Sequence, residues 1–163
     1  MSNMLLPLTA SSAIACALVS GVFLTFSDFV MRSLNKTEVS GGIEAMQHIN
    51  REVFRTLFMV LLVGMSAMSP VLMWMGWTLS DGPARQFILF GGAIYTIAVF
   101  AVTLLGNVPM NVRLDRLDKS TWEAESYWSK FYPRWTWLNH IRTVGAAASA
   151  ICFLLASLTL VAS

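Results

Sequence analysis

Apolar residues fall into four long runs along the chain, and short polar stretches separate the runs. They cover residues 5–26, 53–79, 87–105 and 143–162. Each run holds about 19 to 27 residues, which is enough for a helix to cross a hydrocarbon core of roughly 30 Å. The pattern predicts an all-α protein, a single domain over residues 1–163 built as a four-transmembrane-helix bundle. Its helices are expected over residues 5–33, 43–79, 84–107 and 134–161.

The second helix is expected to begin well before its apolar run. Apolar side chains recur there at helical spacing, at Ile43, Met46, Ile49, Val53 and Leu57. The opposite face is polar, so roughly three turns should extend beyond the membrane as the cytoplasmic part of one continuous helix. The adjacent glycines at 41 and 42 should end the preceding loop.

The third helix is expected to end near Asn107, because Pro109 removes a backbone hydrogen-bond donor. A polar, amphipathic segment of residues 113–130 should then connect it to the fourth helix. Seven aromatic residues lie in and just after this segment: Trp122, Tyr127, Trp128, Phe131, Tyr132, Trp135 and Trp137. Their density is typical of an interfacial aromatic belt, and it also fits a lid over a pocket for a flat aromatic molecule.

Cationic residues are divided unequally between the two ends of the apolar runs. Ten of the eleven Lys and Arg residues lie at one end, and only Arg85 lies at the other. The ten are Arg32, Lys36, Arg51, Arg55, Arg113, Arg116, Lys119, Lys130, Arg134 and Arg142. Since Lys and Arg accumulate on the cytoplasmic side, both termini are predicted on the non-cytoplasmic side of the membrane. In a bacterium this would be the inner, cytoplasmic membrane.

Composition supports a membrane protein and excludes several other classes. Of the 163 residues, 56% are hydrophobic and 12% are charged, and the mean hydropathy is +0.62. A soluble domain would have about 25% charged residues. The net charge of +2 is too small to indicate nucleic-acid binding. The expected partner is the lipid bilayer, whose anionic headgroups would lie beside the basic residues.

Polar residues near the cytoplasmic ends of all four helices should meet at one membrane depth. The candidates are Asp28, Glu44, His48, Arg51, Asn107, Asn111, Asn139, His140 and Arg142. If their faces converge, they would form a polar layer in the bundle. Asp28 follows more than twenty mostly apolar residues, and an unpaired carboxylate there would be costly. We therefore expect Asp28 to pair with Arg51, Arg55 or Arg142.

The two histidines of the chain, His48 and His140, both belong to this polar layer. They could act as general bases, with Arg142 and the asparagines stabilising an anion. They could instead be ligands of a haem iron or a copper ion. The sequence contains none of the spacing motifs typical of metal sites, hydrolase active sites, nucleoside-triphosphate sites or dinucleotide sites. The cofactor therefore stays open between none, haem and copper.

Several segments resemble the anthrone-oxygenase-like family of small integral membrane proteins, much of which is uncharacterised. The similar stretches follow one another over nearly the whole chain: SGVF from Ser20, GIEAMQHIN from Gly42, GNVPMN from Gly106 with Arg113 and Leu114, and YW from Tyr127 followed by Trp135, Asn139, His140 and Arg142. The resemblance implies a four-helix membrane protein. Some relatives oxidise anthrones to anthraquinones with O₂.

The resemblance and the polar layer together give the expected function and its residues. The function is a membrane-embedded oxidoreductase or oxygenase that acts on a flat, apolar aromatic or quinone-like molecule at the cytoplasmic end of the bundle. The expected catalytic residues are His48, His140, Arg142, Asn107 and Asn111. Substrate-binding residues are expected to be Glu44, Asn50, Trp135 and Asn139. If a metal or haem is present, its ligands would be His48 and His140.

Two other classes of function remain compatible with the sequence. The chain could be a non-enzymatic membrane subunit or binding module of a larger complex, or it could form a homo-oligomer whose polar layer is structural. The ten methionines and the small residues on the helix faces suit such assembly. It could also be a small haem-binding membrane protein.

Overall fold

The computed structural model describes residues 4–162, and five helices account for most of that range. The helices are α1 (Leu5–Leu34), α2 (Val39–Glu52), α3 (Leu57–Leu79), α4 (Gly82–Asp115) and α5 (Trp122–Ala162). Four of them, α1, α3, α4 and α5, are long and apolar enough to cross a membrane. The prediction of an all-α protein is therefore confirmed, as is the prediction of four helices long and apolar enough to span a membrane. Which terminus lies on which side stays a prediction.

The four long helices contact one another in a closed order. Helix α1 packs along α5, α5 along α4, α4 along α3, and α3 along α1. Small residues bring the axes together: a Cβ atom at Gly145 of α5 would lie 2.7 Å from the Cβ atom of Ala98 on α4. The main core includes the fully buried Tyr95 and Phe153. The outward faces carry exposed apolar side chains, which is the surface that a membrane-spanning helix presents to lipid.

A second core lies where α2 covers the bundle. Met31 of α1 and Met46 of α2 meet the stacked rings of Trp128, Phe131 and Trp135 at the start of α5. Most of the aromatic-rich segment is therefore interior packing rather than an exposed belt, and Trp135 also lines a cavity. The exposed side chains of Trp122 and Trp137 remain compatible with an interfacial position.

The predicted continuous helix 43–79 is wrong, because the chain breaks between α2 and α3. A 3₁₀ turn, Val53–Arg55, follows α2, and Thr56 is extended with φ −108° and ψ 156°. The Thr56 Oγ1 atom accepts a hydrogen bond of 3.3 Å from the Met59 amide, so it caps the start of α3. At the other end of α2, Gly41 and Gly42 lie inside the helix rather than in the loop.

Helices α4 and α5 are longer than predicted. Helix α4 continues past Asn107 to Asp115, because Pro109 falls in the first turn after a π-helical segment, Thr103–Asn107. The segment expected to connect the two helices is mostly the first part of α5, which starts at Trp122 instead of residue 134.

Candidate functional site

A cavity of about 650 Å³ lies at the end of the bundle that α2 covers. All five helices contribute to its walls, including Phe23 of α1, Asn50 of α2, Phe58 of α3, Asn107 of α4 and Trp135 of α5. Its volume falls within the range of about 300 to 1,000 Å³ that is usual for small-molecule sites. The bundle therefore has room for one ligand of moderate size.

Most of the cavity wall is apolar, and much of it is aromatic. The aromatic lining residues are Phe23, Phe26, Phe54, Phe58, Phe100 and Trp135. Phe23 and Phe58 meet edge to face with ring centroids 5.4 Å apart. Aromatic rings arranged around a cavity favour flat, apolar ligands, which can stack on ring faces or meet ring edges.

Arg142 of α5 provides a buried positive charge in this apolar cavity. Its side chain is only 5% exposed, and it lines the cavity. Nη2 donates a hydrogen bond of 2.7 Å to Asn139 Oδ1, and Nη1 donates a longer one of 3.5 Å to Thr103 Oγ1. The Nε atom is buried and has no hydrogen-bond partner in the described chain.

The guanidinium group of Arg142 lies against two aromatic rings instead of a carboxylate. Its Cζ atom is 4.3 Å from the centroid of the Phe23 ring and 5.1 Å from that of Trp135. The four ion pairs found within residues 4–162 all involve other cations. A buried cation is costly without a counter-ion, and cation–π contacts offset that cost only in part. An anionic ligand at this position would therefore be stabilised.

Asn139 fixes the position of this guanidinium group. Its Nδ2 group donates hydrogen bonds of 2.7 Å to the Phe23 carbonyl oxygen and to Ser27 Oγ on α1. These two acceptors require the amide nitrogen on their side, so Oδ1 must point to Arg142. Asn139 thus lies in the cavity wall, where a substrate-binding residue was expected from the sequence. Its polar atoms, however, are hydrogen-bonded to α1 and to Arg142.

Two other asparagines leave buried polar atoms without partners at the cavity. Asn107 donates from Nδ2 to the Trp135 carbonyl oxygen at 3.3 Å, but its Oδ1 atom is unpartnered. The Nδ2 atom of Asn50 is also buried without a partner. Nε of Arg142 is the third such atom among the cavity residues. All three atoms are fully buried, so a ligand or water molecule would reach them only after a small movement of these side chains.

Asn111 and Trp135 are joined across the cavity wall. The Trp135 Nε1 atom donates a hydrogen bond of 2.8 Å to Asn111 Oδ1, which sets the orientation of the indole ring. Asn107, Asn111 and Asp115 are spaced four residues apart on α4, and all three line the cavity. The predicted residues Asn50, Asn107, Asn111, Trp135, Asn139 and Arg142 are therefore brought together.

Two ion pairs fasten α2 over the cavity. Arg51 Nε lies 2.8 Å from Asp115 Oδ1, and both residues line the cavity. Glu44 pairs with Lys119 outside the cavity, so its expected substrate-binding role is not supported by its position. The hydrogen bond from Lys119, followed by the charge of Lys119, lowers the pKa of the Glu44 carboxyl group. Gln47 adds hydrogen bonds of 2.9 Å to the carbonyl oxygens of Leu114 and Leu117.

The structure does not bring His48 or His140 to the cavity. Both side chains are exposed, His48 on the outer face of α2 and His140 beside the edge of Trp137, with ring centroids 6.5 Å apart. In the described part of the chain, no three His, Cys, Asp or Glu side chains converge as metal ligands. The donor set therefore does not fit the expected haem or copper centre, and the histidines are not placed to act as bases in this cavity.

Asp28 also differs from its expected role. Its exposed carboxylate pairs with Arg32 one turn along α1, with Oδ1 3.6 Å from Nη2, rather than with Arg51, Arg55 or Arg142. The prediction failed because residues 26–30 form a π-helical turn on which Asp28 points away from the other helices. A partner from another helix is thus not needed.

The side of the cavity between α3 and α4 is open. Val63 of α3 and Leu104 and Val112 of α4 line the cavity and are also exposed, as is Phe54 in the turn before α3. Helix α3 contacts the first half of α4 closely but makes few contacts with Thr103–Asn107. Because these lining residues are apolar, the opening faces the region that lipid chains would occupy.

These features define a helical membrane-type protein with an aromatic cavity that contains a buried cation. The family model described as anthrone oxygenase matches residues 46–152, and the chain belongs to this family. No curated protein and no solved structure matches the chain. The matched range includes every polar lining residue of the cavity, while Phe23 and Phe26 of α1 lie before it.

Sequence reasoning missed several residues of the site. Phe23 belongs to the SGVF stretch that carries the family resemblance, but its ring contact with Arg142 could not be foreseen. Asp115 is four residues beyond Asn111 and eight beyond Asn107, and this spacing was a usable signal. Thr103 and Gln47 gave no such signal, because each looked like an ordinary polar residue in a helix.

Proposed function

We propose that this protein is an oxygenase that binds a flat, apolar aromatic molecule in the cavity and promotes its reaction with O₂. The proposed reaction is the oxidation of an anthrone to the corresponding anthraquinone. Family membership supports the reaction class, and the size and aromatic lining of the cavity support a ligand of about three fused rings.

The observation that carries this proposal is the buried guanidinium group of Arg142, which has no carboxylate partner in the described structure. An anthrone is neutral, but it becomes an enolate when it loses a proton from its CH₂ carbon. The negative charge then resides largely on the carbonyl oxygen. A cation already held in an apolar cavity stabilises this anion more than it stabilises the neutral substrate, which is what catalysis requires.

The overall reaction balances with O₂ as the oxidant. Loss of one CH₂ proton gives the enolate, whose carbon attacks O₂ and forms a peroxide anion. Protonation gives a hydroperoxide, and loss of the second CH proton together with hydroxide forms the new carbonyl group and one water molecule. The protein has to promote proton removal and hold the anion, and the buried donors in the cavity suit the second task.

The unpartnered atoms of Asn107 and Asn50 would orient the substrate once their buried amide groups turn towards it. Natural anthrones that carry ring hydroxyl groups can donate a hydrogen bond to Asn107 Oδ1, and their oxygens can accept one from Asn50 Nδ2. A molecule without such oxygens would leave these atoms unsatisfied, at a cost of about 1 to 3 kcal/mol each. The cavity should therefore prefer hydroxylated anthrones over the parent compound.

The test uses the full chain purified in mild detergent, with 1,8-dihydroxyanthrone as the substrate. Anthraquinone formation and O₂ consumption are measured together, and the spontaneous oxidation rate is subtracted. We expect protein-dependent turnover that falls by about 100-fold or more in Arg142→Met. Arg134→Met is the matched control, because Arg134 is an exposed arginine on the same helix that does not line the cavity. Equal rates in wild type and Arg142→Met would refute the proposal.

A second candidate function is a binding module that holds a flat aromatic molecule without converting it. The observation in its favour is that no histidine, cysteine or tyrosine lines the cavity among residues 4–162. This candidate predicts that the anthraquinone product and the anthrone bind with similar affinity, that Arg142→Met weakens both, and that the rate of oxidation is the same with and without protein.

A further inference from the structure

Asp115 is the only residue with a carboxylate among the described residues that line the cavity. The other polar lining side chains are amides, hydroxyls and guanidinium groups, and none of these accepts a proton readily near neutral pH. A reaction that begins by removing a proton from the substrate needs an acceptor. Within this cavity, Asp115 is the side chain able to fill that role.

Asp115 and Arg142 act from different ends of the cavity. Arg142 contacts Thr103 of α4, and Asp115 lies twelve residues further along the same helix. This separation corresponds to a rise of about 18 Å between the two backbone positions. Both residues line the same cavity, so a flat molecule bound there can lie between the two charged groups.

The ion pair with Arg51 leaves part of the Asp115 carboxylate available. Arg51 Nε donates to Oδ1 at 2.8 Å, while Oδ2 takes no hydrogen bond from any described residue. The Asp115 side chain is 38% exposed, so a ligand in the cavity can reach it. Arg51 thus holds the carboxylate in one orientation.

We propose that the Asp115 carboxylate is the general base that removes the CH₂ proton of the substrate, an inference that rests on the proposed oxygenase function. The C–H bond breaks, the proton passes to Oδ2 of Asp115, and the electron pair moves through the ring system to the carbonyl oxygen. In an anthrone this carbon and the carbonyl lie opposite each other across the central ring. Negative charge is therefore removed from Asp115 and delivered towards Arg142.

The same carboxyl group returns its proton later in the reaction. The peroxide anion formed with O₂ takes the proton from Asp115, which regenerates the carboxylate and gives the hydroperoxide. The carboxylate can then remove the second CH proton as hydroxide leaves, and it passes this proton to the hydroxide to give water. One residue therefore accepts and returns a proton twice, with no net change in its protonation over a cycle.

The decisive experiment separates proton removal from oxidation. Under anaerobic conditions in D₂O, the exchange of the CH₂ protons of 1,8-dihydroxyanthrone for deuterium is followed by NMR with wild type and Asp115→Asn. We expect protein-dependent exchange in wild type and a loss of about 100-fold or more in the variant. Binding of the anthraquinone product should change by less than about threefold, because the amide keeps the shape of the side chain.

Two further variants distinguish chemistry from the fastening of α2. Glu44→Gln removes the other ion pair that fastens α2 but leaves Asp115 intact, so exchange should persist. Arg51→Met removes the group that orients the Asp115 carboxylate but keeps the carboxylate itself, so exchange should fall by less than it does in Asp115→Asn. Wild-type exchange in Asp115→Asn would overturn the inference while leaving the oxygenase proposal standing. Absence of both exchange and turnover in wild type would remove the proposed function itself.

Discussion

Asn139 Oδ1 accepts a hydrogen bond of 2.7 Å from Nη2 of Arg142, while the Nδ2 group of the same asparagine is bound to α1. One buried amide therefore links the packing of two helices to the position of a charged group. A change at Asn139 should affect both stability and the reaction, and these two effects can be measured separately.

Asn139→Ala should lose three hydrogen bonds, two of them fully buried. We expect the free energy of unfolding to fall by about 2 to 4 kcal/mol, because the Phe23 carbonyl oxygen, Ser27 and Arg142 each lose one hydrogen bond. Ser27→Ala removes only one of these bonds, so it should cost about 1 kcal/mol and leave turnover nearly unchanged. Thermal unfolding in detergent and the anthrone assay give the two readouts. Equal losses of stability and of turnover in Asn139→Ala and Ser27→Ala would show that Asn139 does not both hold α1 and position Arg142.

Thr103→Asp should give Arg142 a permanent counter-ion. The Thr103 Oγ1 atom is 3.5 Å from Arg142 Nη1, so a carboxylate there would form an ion pair and compete with an anionic ligand. We expect turnover of 1,8-dihydroxyanthrone to fall by at least tenfold, because the new carboxylate would neutralise the cation that stabilises the enolate. Thr103→Asn has nearly the same shape without the charge, so it should lower turnover much less. Similar rates in the two variants would show that the charge of Arg142 does not promote the reaction.

The opening between α3 and α4 should limit entry of the substrate from the bilayer. Val63→Trp places a large side chain at the opening, and in lipid vesicles it should lower kcat/KM by about tenfold or more. Val71→Trp is the control, because Val71 is also exposed on α3 but does not line the cavity. If both tryptophan variants behave like wild type, the substrate enters by another route.

Gln47 should be important for keeping α2 in place. Gln47→Ala loses the hydrogen bonds to the Leu114 and Leu117 carbonyl oxygens, at a cost of about 2 kcal/mol. We expect faster hydrogen exchange over α2 and lower turnover, since α2 covers the cavity. His48→Ala changes the adjacent, exposed residue and should leave both quantities unchanged. Loss of turnover in His48→Ala would restore the catalytic role expected from the sequence.

The ion pair between Glu44 and Lys119 should make stability depend on pH. Lys119 lowers the pKa of Glu44 below its ordinary value of 4.5, so the folded state favours the ionised carboxylate. This contribution is present above that ordinary value and is lost as the pH falls through the lowered one. Wild type should therefore melt at a higher temperature than Glu44→Gln at pH 7, and this difference in melting temperature should vanish in strong acid. A constant difference across this range would exclude the carboxylate as its source.

The four membrane helices could be predicted because they depend on the length and hydropathy of single segments. The asparagines and Arg142 could be placed together because helix ends at one depth must be neighbours. His48 and His140 were assigned to the site because they lie at the same depth. Depth does not determine which face of a helix a side chain occupies, and both histidines are exposed. Helix faces depend on the exact count of residues per turn, and π-helical segments in α1 and α4 alter that count.

The break at Thr56 illustrates a second limit. Hydrophobic periodicity continues through residues 43–79, so the pattern gave no reason to interrupt the helix. Two interactions stabilise the interruption. The Thr56 hydroxyl caps the start of α3, and the second core and Gln47 hold α2 against α4 and α5. Such long-range packing is not present in the pattern of a single segment.

The π-helical segment Thr103–Asn107 makes the site depend on backbone geometry as well as on the identity of its residues. A π turn contains one more residue than the α turn it replaces. With one residue fewer, an ordinary α turn would replace this π turn and keep Asn111 and Asp115 on the cavity side. If the same five residues instead adopted α-helical geometry, everything beyond them would rotate by about 100° relative to the preceding turns. Asn111 and Asp115 would then leave the cavity together, although hydropathy and membrane span would hardly change. The cavity thus depends partly on the π geometry of a single turn in α4.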